Sequence, residues 1–157
     1  MKSIADLLTE VPAFVGLSEQ HRELIAGCGE NVIFEAGEYV FREGEPANRF
    51  FALRRGDVAL EFTPPAAPTL VIETLHPGDV LGWSWLFPPY RVRYDARAMG
   101  EVHAVAFDGA CLRGKCEEDH DLGYELMRRF AEVITERLQT TRIRLLDVYG
   151  PPASVES

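Results

Sequence analysis

The chain has 157 residues, 46% of them hydrophobic, and a formal net charge of −9. That supplies apolar mass for one folded domain with a core and argues against a disordered chain. The acidic balance excludes nucleic acid as the default partner, since such binders need a basic footprint. It leaves room for a small anionic ligand held by a few local donors.

The opening MKSIADLLTEV is amphipathic and carries acids. It lacks the long apolar centre of a signal peptide or membrane span, so the reading is a cytoplasmic protein without membrane contact. Ile4, Leu7, Leu8 and Val11 fall at helical spacing and Pro12 ends the run. GLSEQHRELIAGCG then offers Ser18 as an N-cap for a second short helix, with Leu24 and Ile25 on one face. From Asn31 to Phe107 the pattern changes to short runs rich in Val, Ile, Phe and Leu, broken by Gly and Pro about every ten residues. This spacing predicts a β-sandwich or jelly roll. RRGD, Arg54 to Asp57, reads as a tight hairpin turn. TPPAAP reads as an exposed, proline-stiffened hairpin tip. Beyond residue 108 the chain turns helical again. Leu126, Phe130, Val133 or Ile134, Leu138, Thr141, Leu145 and Val148 make an apolar seam longer than one short helix needs. Gly150, Pro151 and Pro152 end it and ASVES is a tail. The expected organisation is a single domain over 1–150, with helices in 1–30, a β region in 31–107, helices in 108–150 and a tail in 151–157.

Cys28, Cys111 and Cys116 show no metal-ligand spacing and no even-numbered framework. They are expected as buried or half-buried thiols in a reducing cytosol. The four histidines are scattered with no His-x-His pair, so the cupin type of metal site is not expected. No nucleophile elbow exists at Ser84, because the glycine two residues later is absent. The expected protein is not an enzyme.

Several stretches in order resemble the cyclic nucleotide-binding domain of the Crp/Fnr superfamily. They are LLTEVPAFVGLSEQHRELIA, FEAGEYVFREGEPANRFFALRRGDVALE, LHPGDVLG and ERLQTTRIRLLDV, with Gly37, Gly44, Gly56, Gly78 and Gly82 punctuating strand turns. The resemblance implies a mainly β fold: a β-roll, or double-stranded jelly roll, with helices before it and a long helix after it. It also implies a phosphate-binding cassette between two strands, cAMP as the candidate ligand, and a homodimer through the last helix. The family's cassette glycine matches Gly82. Trp83 stands where a Glu holds the ribose hydroxyl, and Ser84 and Trp85 follow where small or aliphatic residues are usual. Counting back from Ala98, the phosphate-binding Arg falls on Val92 and its Ser/Thr neighbour on Arg93. If Ala96 and Ala98 face inward, so do Tyr94 and Val92, while Arg91, Arg93, Asp95 and Arg97 face outward. A one-residue slip or a bulge could bring Arg91 or Arg93 inward. Thr141 matches a threonine that touches the base in cAMP-binding regulators.

Two readings stand for the cassette. The tryptophans stack on a ligand base, or they fill the hollow a nucleotide would occupy. Arg91 and Arg93 capture phosphate or are solvated strand charges. Thr141 is a base contact or a seam residue. Glu73 and Asp79 read as ordinary strand and turn acids. The candidate ligand-binding set is Gly82, Trp83, Ser84, Trp85, Arg91, Arg93, Tyr94 and Thr141. Members of this family commonly append a winged helix that reads DNA, and DVYGPPASVES stands where one would begin. The expectation is therefore a regulator without its output, by nature or by truncation, with a partner protein as one carrier of that output. The other class of reading is a ligand-free dimerisation or docking module.

Overall fold

A computed structural model describes residues 2–149. Helix α1 (Ile4–Leu8) starts at a reciprocal cap, in which the Ser3 hydroxyl accepts from the Asp6 N–H and the Asp6 carboxylate accepts from the Ser3 N–H. A 3-10 turn at Pro12–Phe14 follows, then α2 (Glu19–Ala26), whose Ser18 cap accepts from the His21 N–H at 3.1 Å. Eight strands come next: β1 (Gly29–Phe34), β2 (Tyr39–Phe41), β3 (Arg49–Arg55), β4 (Val58–Phe62), β5 (Leu70–Leu75), β6 (Val80–Leu81), β7 (Asp95–Ala98) and β8 (Val102–Asp108). Helices α3 (Gly109–Glu118) and α4 (His120–Tyr149) end the described chain. The expected stop at Gly150–Pro152 and the ASVES tail lie outside the described residues.

The strands form two four-stranded antiparallel sheets, ordered β1-β8-β3-β6 and β2-β7-β4-β5. Strand alternation divides the first sheet between two cores. Phe50 and Ala52 of β3, with Val105 and Phe107 of β8, face the helices and pack with Phe14, Ile25, Leu112, Leu126 and Phe130. Phe51 and Leu53, with Val102, Ala104 and Ala106, face the second sheet and pack with Phe41, Leu60, Leu81, Val92 and Ala96 inside the roll. The β-roll with flanking helices is thus the observed fold.

Two sequence expectations are corrected here. RRGD is not the turn of a hairpin: β3 pairs with β6 and β8, whereas β4 pairs with β5 and β7. The turn is a corner that carries the chain from one sheet to the other. Gly56 makes it, at φ +81°, where a Cβ would lie 2.3 Å from the Glu101 carbonyl oxygen. Nor are all three cysteines thiols. Cys28, just before β1, is disulfide-bonded to Cys111 in the first turn of α3, and only Cys116 is free. The spacing reading failed because 83 residues separate the pair in sequence while the fold brings their Cα atoms to 5.8 Å. Closing a loop of that length restrains the unfolded chain by about 4.5 kcal/mol in the chain-entropy account. The TPPAAP tip does close a hairpin, since β4 and β5 pair in one sheet and the tip is exposed.

Gly56→Ala is expected to cost at least twice as much stability as Gly37→Ala in urea unfolding. Both positions have positive φ, but a Cβ at Gly37 meets nothing within 4 Å. Gly37→Ala therefore reports the backbone term alone, about 1–2 kcal/mol, and equal costs at the two sites would show that the corner relaxes.

Candidate functional site

The stretch from Gly82 to Arg93 leaves β6, makes one 3-10 turn at Ser84–Leu86, and returns toward β7. Gly82 sits at φ +89°, with the Arg49 carbonyl oxygen 3.2 Å from where its Cβ would be. The close approach of β3 and the backbone angle both select glycine there. Beyond the turn, Tyr90 adopts φ +55°, an unusual conformation for an aromatic residue. It is fixed from several sides: its N–H donates to the Phe87 carbonyl at 2.9 Å, its own carbonyl accepts from the Ala47 N–H at 2.7 Å, and the Arg113 guanidinium lies 4.8 Å over its ring.

The two tryptophans part company. Trp85 is fully buried in the helix-side core, 5.4 Å from and nearly parallel to Phe50, with Phe130 edge-on at 5.7 Å. The 3-10 turn carries its side chain into the core beneath the helices, where the sequence reading expected a wall or a plug of a ligand hollow. Trp83 is half-buried and packs against the rim of the same helix-side core. The Arg137 guanidinium from α4 lies 4.9 Å over its ring, a cation–π arrangement.

Burial along Arg91–Ala98 mostly follows the alternation read from the sequence. Val92, Ala96 and Ala98 are buried and Arg91, Arg93 and Arg97 are exposed, while Tyr94 and Asp95, expected on opposite faces, are both half-buried. No register slip turns an arginine inward. Arg91 Nη1 donates to the Gly44 carbonyl at 3.1 Å. Even so, Arg91 and Arg93 share a recess with Trp83, Ser84, Phe87 and Pro89. Its volume, about 110 Å³, admits an anion of phosphate size and falls short of the 300 Å³ or more typical of whole-ligand pockets.

Arg137 is the residue that the sequence reading missed. It donates to the Val80 carbonyl, and its Nε lies 4.0 Å from the Glu73 carboxylate. Its Nη1 is buried with no partner among the described residues. Burial pulls the guanidinium below its ordinary pKa, against the opposing pull of Glu73, Tyr94 and nearby acids. Burial likewise pushes the Tyr94 phenol up, and the Tyr94 ring lies 6.1 Å from that of Phe41, in the field of the Arg137 and Glu73 charges. Glu73 is therefore more than the ordinary strand acid expected. Asp79 matches its turn reading, accepting from the His76 N–H at 2.8 Å. Thr141, the expected base contact, is exposed, and its hydroxyl donates to the Arg137 carbonyl at 2.9 Å. The signal for Arg137 lay one helical turn before the threonine, on the same face. The structure thus brings together Gly82, Trp83, Ser84, Arg91, Arg93 and Tyr94, adds Arg137 and Glu73, and leaves out Trp85 and Thr141.

Beside this cluster, α4 and the β5–β6 turn bound a cleft of about 260 Å³ with Arg129, Arg137, Glu132 and Asp79 on its walls. Its charges are mixed and the Arg129 guanidinium is committed to the Ala13 and Val15 carbonyls, at 3.0 and 2.6 Å.

Comparison with known proteins gives a consistent answer. Residues 31–119 match the family model of the cyclic nucleotide-binding domain. A CRP-like cAMP-activated global transcriptional regulator of Mycobacterium tuberculosis is 26% identical over 143 residues, 91% of this chain. The chain spans 62% of that regulator's length. A solved structure of a protein from Geobacter metallireducens GS-15, named for cyclic nucleotide binding, is 30% identical, with a TM-score of 0.77 over 88% of this chain and 99% of the other. A cyclic nucleotide-binding domain from Methylobacillus flagellatus KT shares the fold at TM-score 0.80 over 96% and 85% of the two chains, at 14% identity.

Single-tryptophan proteins separate the two indoles. With Trp83→Phe, the remaining Trp85 should resist acrylamide quenching. With Trp85→Phe, the remaining Trp83 should be quenched, and adding Arg137→Ala should raise its quenching and shift its emission. An unchanged Trp83 signal on removal of Arg137 would contradict the contact.

Proposed function

The chain belongs to the cyclic nucleotide-binding domain family, and from that premise we propose that it is a non-enzymatic cytoplasmic sensor module, residues 1–150 acting as one unit, that signals through α4. The observation that carries the reading is the Trp83–Arg137 contact. It joins the cassette directly to the helix, so an anion or base that engages either residue changes what α4 packs against. Arg91 and Arg93 supply the charge for a phosphate-sized group in the recess, and Arg137 has a spare N–H for an acceptor.

The departures from the family pattern point to weak cAMP binding. Trp83 replaces the ribose-binding acid and Val92 the inward arginine. A hydrogen bond to a charged group contributes about 1.5–3 kcal/mol. Losing both weakens binding by roughly two to four powers of ten, at about 1.4 kcal/mol per power. A second reading, a ligand-free module for dimerisation or for docking a partner that carries the output, draws support from the same contact: Arg137 already covers Trp83.

The α4 seam supports a homodimer under either reading. Leu126 and Phe130 are buried, but Leu138, Ile143, Leu145, Leu146 and Val148 are 48–75% exposed. Pairing two copies would cover them. No helix among the described residues is long and apolar enough to cross a membrane, and the net charge of −9 disfavours nucleic acid as a partner of this chain.

Titration with cAMP, followed by tryptophan fluorescence and calorimetry, should give no saturable response at low micromolar concentration. The double change Trp83→Glu with Val92→Arg should create one. Tight cAMP binding by the unaltered protein would sink the weak-pocket reading, and Arg91→Ala and Arg93→Ala would then identify the phosphate contact.

In light scattering at tens of micromolar, a range suited to affinities near −8 kcal/mol, the protein should run as a dimer. Leu138→Glu should split it, and a clean monomer before substitution would remove the dimer from the proposal.

A further inference from the structure

The Cys28–Cys111 disulfide has no part in the site described above, yet the segment it holds grips the cassette from behind. Cys111 lies in the first turn of α3, between Gly109 and Arg113. The Gly109 N–H donates to the Asn48 carbonyl at 2.7 Å, and a Cβ on Gly109 would stand 3.0 Å from the Trp85 Cβ. Arg113 Nη1 donates to the Trp85 carbonyl at 2.6 Å, and the same guanidinium covers the Tyr90 ring. The first turn of α3 therefore fixes both the 3-10 turn and the left-handed Tyr90. That helical turn is in turn fixed by the bond to Cys28.

We propose that Cys28–Cys111 is a thiol–disulfide exchange site whose redox state sets the rigidity of the Gly82–Arg93 segment. The bond is open to attack: Cys111 is partly exposed, and a surface recess of about 330 Å³ is lined by both cysteines with Gly29, Arg49 and Asp108. The reductant is a dithiol. Its thiolate bonds to the Cys111 sulfur, and Cys28 leaves as a thiolate and takes up a proton. The second thiol of the reductant then attacks the mixed disulfide and becomes a disulfide with the first. Cys111 leaves as a thiolate in the first turn of a helix, where peptide dipoles favour negative charge. With Cys28 protonated and Cys111 held as the thiolate, two electrons and one proton have passed to the protein, and the reductant's other proton has gone to solvent. Reoxidation by a disulfide of the same class reverses each step. Cys116 takes no part: it is half-buried on α3 against Gly123, and burial holds its thiol above the ordinary pKa, as an unreactive thiol.

After reduction, the Asp108 cap, which accepts from the Cys111 N–H at 2.9 Å, and the bond from the Asp108 N–H to the Cys28 carbonyl at 2.9 Å remain. Release is thus local rather than global. The inference stands apart from any ligand, because its readout is the cassette backbone.

The test is hydrogen exchange by mass spectrometry on the full chain, oxidised and dithiothreitol-reduced, with thiol alkylation in denaturant after removal of the reductant as the redox count. One labelled cysteine is expected in the oxidised protein and three in the reduced. Amides of residues 84–92 should exchange about tenfold faster on reduction, equivalent to about 1.4 kcal/mol of local stability, while those of β3 and β8 stay unchanged. Cys28→Ser with Cys111→Ser should exchange like the reduced protein and ignore the reductant. Arg113→Ala, which keeps the disulfide, should loosen the same residues in the oxidised state. Three labelled cysteines after oxidation would overturn the proposal. So would unchanged exchange at residues 84–92 on reduction, which would make the bond a structural staple only, or a uniform rise across both sheets.

Discussion

Strand alternation in β3 and β8 is the constraint on which the rest of the molecule depends. One face of these two strands closes the roll and the other carries the helices, so every second residue belongs to a different core. Phe50 is the centre of the helical side, parallel to Phe107 at 4.6 Å and close to Trp85, Phe14 and Phe130. A shift of register by one residue would exchange Phe50 with Phe51 and put both cores wrong at once. The sheet is thus a partition between roll interior and helices, and the cassette follows its edge strand β6.

The cassette works at that edge. Trp83 and Trp85 are two residues apart and meet the same helix-side core to different depths, Trp85 fully buried in it and Trp83 half-buried against it. Trp85 anchors the segment in the core beneath the helices, and Trp83 remains at the mouth under Arg137. An aromatic anchor of this size excludes a loose loop, so the mobility of the segment is governed by what holds Trp85 from behind. That is α3, through Gly109 and Arg113, and α3 in turn is stapled to the beginning of β1.

The sequence was informative where the physics is local or periodic. The Ser18 cap, the two hydrophobic periods, and the inward alternation of Val92, Ala96 and Ala98 all follow from neighbours in the chain. Legibility ended where distant segments meet. Nothing near Cys28 announces Cys111. Gly56 looks the same in a hairpin turn as at a corner between sheets. Trp85 looks like a pocket residue because its neighbours belong to the cassette, and only the position of α3 and Phe130 gives it another home. Arg137 was passed over in favour of Thr141, although both lie on one helical face, because the choice depends on how far α4 leans over Val80.

The contact between Arg137 and Trp83 makes the helix a tethered competitor for its own site. A guanidinium on a covalently attached helix is presented at an effective concentration set by geometry, in the millimolar range for short flexible tethers and independent of how dilute the protein is. Any ligand that needs the face of Trp83 binds with its intrinsic affinity multiplied by the fraction of molecules in which Arg137 has withdrawn. Under the proposed function, whatever steadies α4, including a second copy along its exposed seam, would alter the threshold at which a ligand registers without touching the residues that would hold it.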